Sequence, residues 1–129
     1  MLTEKDYCDY DTCVALKEVG CDQHYDKYKE TNDKGKFIFD WFTLYEAQKW
    51  LREEKGMLVD SMVFADNSID ADGKVVDRWI YYSCAILNTS TAEFIRSYDH
   101  SDEYDTYEEA LSEGIKEAIK LLKESNYGD

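Results

Sequence analysis

At 129 residues, 43% hydrophobic and 15% aromatic, the chain carries enough apolar mass for a core of its own, which excludes intrinsic disorder. Its 29 acidic against 15 basic side chains leave a formal charge of −14, a surface that repels nucleic-acid phosphates and anionic lipid and attracts basic proteins. No stretch approaches the ~20 apolar residues of a membrane span.

The opening Met1-Leu2-Thr3-Glu4-Lys5-Asp6 lacks the basic and apolar regions of a signal peptide, so the expected compartment is a cytosol, with the four cysteines reduced. Asp9 then reads as the cap of a short helix reaching Val19, with Tyr10, Cys13, Leu16 and Val19 at helical spacing and Gly20 placed for a left-handed end. A polar stretch, 22–33, follows. Residues 36–42 hold Phe37, Ile38, Phe39, Trp41 and Phe42 and read as a strand or a tucked-in extended segment.

Thr43-Leu44-Tyr45-Glu46 is a capping box. The threonine hydroxyl accepts from the N–H three residues on, and the glutamate reaches back to the threonine's own N–H. It predicts a helix over 44–55 ending at Gly56, with Leu44, Ala47, Trp50 and Leu51 as its apolar stripe. Strands are predicted at 57–65, 75–87 and 93–98, separated by a turn region at 66–73 and a turn at 88–91. Asp72-Gly73 is a hairpin signal, and connections this short force an antiparallel meander.

A second box, Thr106-Tyr107-Glu108-Glu109, starts the last helix, whose Leu111, Ile115, Ala118, Ile119 and Leu122 share one face. Glu108 and Glu109 favour its positive end, and Lys116, Lys120 and Lys123 lie toward the negative one. The expectation is a single α+β domain. Its α-β-β-β-α core over 43–125 is a two-layer sandwich with the helices on one sheet face, and residues 1–42 pack against it. The segment 37–42 is expected to cover the open face of the sheet, unless two copies pair there, so monomer and homodimer both stay open.

Three groups of residues carry chemistry worth weighing. Cys8, Cys13, Cys21 and His24 offer four zinc-type ligands as C-x4-C-x7-C-x2-H, but the C-x2-C knuckle of common structural sites is missing and buried cysteine is an ordinary core filler. The run 68–73 echoes a calcium loop, but Ser68 holds the first ligand position and Trp79 the twelfth, where a bidentate glutamate is needed; a hairpin turn accounts for the same residues. Asp99, Asp102, Glu103, Asp105, Glu108 and Glu109 crowd around His100, a patch for a basic partner, set against the plain reading of a solvated loop entering a helix N-terminus.

No nucleophile elbow, phosphate loop or dinucleotide fingerprint is present, Cys84 lacks a neighbouring base, and no cofactor is called for, so the chain reads as a non-enzyme.

Three segments, 9–20, 43–56 and 107–122, with Ala47-Gln48-Lys49-Trp50-Leu51-Arg52-Glu53 the most distinctive, together resemble a group of small uncharacterised proteins carried by phages and prophages of gut bacteria. That resemblance implies a bacterial cytosol and lends no site residues. The helix, three strands, helix order also resembles that of double-stranded-RNA-binding domains, which need basic side chains where this last helix opens with Glu108 and Glu109. The expected function is that of a small acidic accessory protein acting by protein–protein contact. The alternatives are an acidic inhibitor, in effect a nucleic-acid mimic, of a host defence or nucleic-acid-handling protein, and a small-molecule or metal binder.

Overall fold

Three capped helix starts set the frame. In the computed structural model, which describes residues 4–21, 29–31, 37–40, 42–99 and 103–125, a 3-10 turn at Glu4–Asp6 leads into α1, Tyr10–Glu18. The Asp9 carboxylate accepts from Thr12 N–H at 2.8 Å, and Gly20 takes the left-handed φ of +98° that ends the segment. At Thr43 the box closes in both directions: Glu46 N–H donates to Thr43 Oγ1 at 3.0 Å and Thr43 N–H to Glu46 Oε1 at 2.8 Å. Helix α2, Leu44–Lys55, then ends on Gly56 at φ +66°. The third start differs in detail. Glu109 N–H donates to Thr106 Oγ1, but the Glu109 carboxylate takes the N–H of Asp105 rather than that of Thr106. Helix α3 spans Tyr107–Ser125.

Strands β1, Lys29–Thr31, and β2, Phe37–Asp40, pair with each other in a small sheet of their own. The second sheet runs β3, Met57–Ile69, then β4, Val75–Asn88, then β5, Glu93–Arg96, all antiparallel. This is the α+β class with the α-β-β-β-α order.

Helices α2 and α3 cover one face at one end of the larger sheet, where Met57, Val59, Ile86 and Cys84 are fully buried beneath them. Leu51, Ile115 and Ile119 complete that core from above, each worth about 1.5–3 kcal/mol when buried. Leu111, Ala118 and Leu122 face inward as the periodicity requires. Cys8, Cys13, Leu16, Cys21 and Phe42 belong to the same cluster, so the N-terminal segment seals its flank. Gly114 lets α3 lie close on the sheet: a Cβ there would come within 2.7 Å of a Val59 methyl.

Three expectations are corrected. The polar stretch 22–33 contains β1, a strand too short and too polar to announce itself. Strand β3 continues to Ile69, through residues expected to be a turn, because Asp66, Asn67 and Ser68 pair with Trp79, Arg78 and Asp77 of β4 and Ile69, past a register shift, pairs with Val75. Of the segment 37–42, expected over the sheet's open face, Phe42 sits instead in the helical core and β2 pairs with β1, while Trp41 lies outside the described residues. What meets the open face instead is the chain after β5, where Tyr98 packs edge-on against Phe64 and Asp99 exchanges hydrogen bonds with Ser83.

Candidate functional site

Only the first half of β3 lies under the helices. From Phe64 onward, past Val63, whose partner Tyr82 still meets α3 at Tyr107, β3 and its partner residues in β4 run clear of them, and the pair forms an arm closed by the turn 70–74. Six residues at a strand's rise of ~3.4 Å give a projection of about 20 Å. The turn is held by Asp70, whose carboxylate accepts from Asp72 N–H and Lys74 N–H, and by Gly73 at φ +84°. Hairpin geometry therefore accounts for the run that echoed a calcium loop.

The arm is exposed, and among its charged and polar residues stand large apolar ones. Val63 is 53% exposed, Ile69 61%, Val76 63% and Ile80 66%, with Met62, Val75 and Trp79 also exposed. Opposed residues of an antiparallel pair share a face, so Val63 and Ala65 stand beside Tyr82 and Ile80 on the face that α2 and α3 cover further down. Its root is fixed from both sides. On the open face Phe64 stacks on Tyr81 at 5.4 Å. On the helix face Tyr82 meets the Tyr107 ring edge-on at 6.3 Å, and Ser61 Oγ donates to the Tyr107 carbonyl. The base is thus held from both faces while the distal part carries its side chains exposed.

The acidic cluster borders this root. Tyr82 and Tyr104 exchange both backbone hydrogen bonds at 2.9 Å, so the flanking Glu103 and Asp105 are held in the open beside β4, with Glu109 exposed one turn into α3. Asp99 lies apart from them, against Ser83 on the sheet. Glu108 is half-buried, while Asp102 and His100 lie outside the described residues. Around the base, Tyr98 is pushed up to about 12 by burial and by the nearby Asp60 carboxylate, onto which its hydroxyl donates. Burial, then Asp60 and Glu108, raise Tyr107 as well. These phenols stay neutral donors throughout the physiological range.

The cysteines take a structural part. Cys8, Cys13 and Cys21 are buried at the flank of the core, where Cys13 Sγ accepts from Phe42 N–H at 3.4 Å and Cys8 Sγ donates to the Thr43 carbonyl at 3.8 Å. The hydrogen bond with Cys13 and then burial push the Cys8 thiol up. His24 lies outside the described residues, and among those described no three His, Cys, Asp or Glu side chains are grouped to hold a metal ion. Cys84 lies in β4 under Gly114.

A groove of about 550 Å³ between α1 and α3 collects Lys116, Lys120 and Lys123, but Asp9, Asp11 and Glu124 share its walls. Lys116 is paired with Asp9 at 3.0 Å and Lys123 with Glu18 at 3.2 Å, so it is no cationic cleft. No helix among the described residues is long and apolar enough to cross a membrane.

Sequence reasoning named the acidic border but missed the arm. Its signal was the density of Val, Ile, Met and Trp on both sides of Asp72-Gly73. No protein-family profile, curated protein or solved structure matches this chain.

Proposed function

We propose that the protein is a non-enzymatic binding module that works by protein–protein contact, with the β3–β4 arm as its contact surface and the acidic residues at the arm's root as a rim selecting a basic partner. The observation that carries this reading is the row of apolar side chains, Val63, Ile69, Val76 and Ile80, standing in solvent beyond the helices. Exposed apolar side chains grouped as Val63 and Ala65 are beside Ile80 mark sites of protein–protein contact. The setting, on the resemblance of segments 9–20, 43–56 and 107–122, is a phage or prophage accessory protein in a bacterial cytosol.

Affinity capture from the expressing cell, comparing the native chain with V63T/V76T/I80T, tests the reading. Threonine keeps β-branching, so the hairpin persists while its apolar surface shrinks. The expected result is a defined protein recovered with the native chain and lost with the variant at unchanged thermal stability. Equal recovery with both would refute it. Loss only on neutralising Glu103, Asp105 and Glu109 would favour the inhibitor reading, in which the acidic border itself is the contact.

A further inference from the structure

Which backbone groups of the arm are open follows from its pairing. Tyr82 spends its N–H and C=O on Tyr104, away from β3, so the opposed Val63 directs its own N–H and C=O outward from β4. Alternation extends this to Val59, Ser61, Ala65 and Asn67, and the Gln48 amide donating to Val59 O agrees. Along that outer edge the Ser61 N–H is taken by the Asp60 carboxylate at 2.9 Å and the Asn67 N–H by Asp66 at 2.8 Å. Between these two caps, among the described residues, no hydrogen-bond partner meets the N–H or C=O of Val63 or Ala65.

We propose that this window on the β3 edge is a strand-addition site for an extended segment that alternates apolar and basic residues. The proposal rests on the arm being the contact surface and names how a partner engages it. An antiparallel strand opposite 60–66 exchanges backbone bonds at Val63 and Ala65 and sets apolar side chains beside them on the helix face. On the other face its residues six apart fall opposite Asp66 and Asp60, so arginine or lysine at those positions meets the two carboxylates. Charge decides against a second copy as occupant. Pairing two β3 edges centred on Val63 would place Asp60 of each opposite Asp66 of the other, between chains of −14 each.

The probe is the capped heptapeptide Arg-Val-Arg-Val-Arg-Val-Arg, titrated against the full chain, with amide exchange read at Val63 and Ala65. In this register the valine N–H groups face β3 and the inner arginine N–H groups face away. N-methylating the first two valines removes the bonds to Ala65 and Val63 and should weaken binding about ten-fold, whereas N-methylating the inner arginines should change it little. A65P, which removes one outward donor without touching the β3–β4 ladder, should weaken binding in the same direction. Protection confined to Val63 and Ala65, with this dependence on which nitrogens are methylated, supports the site. Equal binding by both methylated peptides, protection at Ile80 instead, or self-association of the chain without peptide overturns it. If V63T/V76T/I80T loses a cellular partner while A65P retains it, strand addition falls and the arm stands as a contact surface.

Discussion

Gly114→Ala offers a test of how closely α3 rests on the sheet. At an ordinary helix position, replacing glycine by alanine gains about 1 kcal/mol. Here the added Cβ would stand 2.7 Å from Val59 Cγ1 and 3.2 Å from Cys84 Cβ, both fully buried. Val59 is β-branched and fully buried, so its restricted χ1 leaves it little room to yield. Overpacking of this kind costs about 1–3 kcal/mol, which leaves a net loss of up to ~2 kcal/mol. Val59→Ala removes the offending methyls at a cost of about 1.6 kcal/mol for two carbons, before any cavity contribution. In that background Gly114→Ala should become less costly by about 1 kcal/mol or more, the 3.2 Å approach to Cys84 Cβ still offsetting part of the helix preference. Urea unfolding of the four proteins, followed by far-UV circular dichroism under reducing conditions, measures the cycle. Stabilisation of the native protein by Gly114→Ala, or additivity within about 0.3 kcal/mol, would refute the close approach.

Other expectations follow from single sites. Asp9→Ala removes both the α1 cap and the contact with Lys116, and should cost about 1–2 kcal/mol near neutrality. Burial works to raise the Asp9 carboxyl, but the bonds from Thr12 and Lys116 outweigh it and hold the group below its usual 3.8. The stability it contributes is therefore present above pH 3.8 and lost as the pH falls through the lower native value, so the native and Asp9→Ala unfolding curves should converge in acid. A gap that widened in acid would reverse that sign. All four cysteines are reduced and buried, so a thiol reagent should label none quickly in the native protein and four after denaturation. Fast native labelling would contradict that burial. Ala92 holds a φ of +61° in the turn between β4 and β5. Strain of about 1 kcal/mol there, less the entropy glycine adds to the unfolded chain, predicts a gain of about 0.5 kcal/mol for Ala92→Gly, and a loss would show that the strain is absent.

What the sequence revealed and what it hid divide along one physical line. The helices were legible because their signals are local: Asp9, Thr43 and Thr106 act within three or four residues, and the Leu111–Leu122 stripe repeats at the helix period. The β-meander was legible from short connections. Its length was not, because residues 66–69 have no core to alternate against and their polar side chains imitate a turn. Only pairing with 75–79 makes them a strand. The same holds for the site. The acidic residues could be named one by one, but their place beside the arm depends on the Tyr82–Tyr104 bridge, and the placing of Cys13 on its bond from Phe42, 29 residues away. Partnerships between residues distant in sequence, such as these, leave no periodic trace.

The central claim, that the protein meets its partner through the projecting arm, is tested most directly by site-specific photo-crosslinking in the expressing cell. A benzophenone side chain at Ile80, 66% exposed on the arm, is compared with one at the exposed Glu53 on α2. The account predicts one discrete crosslinked protein from Ile80 and none from Glu53. A crosslink from Glu53 with none from Ile80 would contradict it.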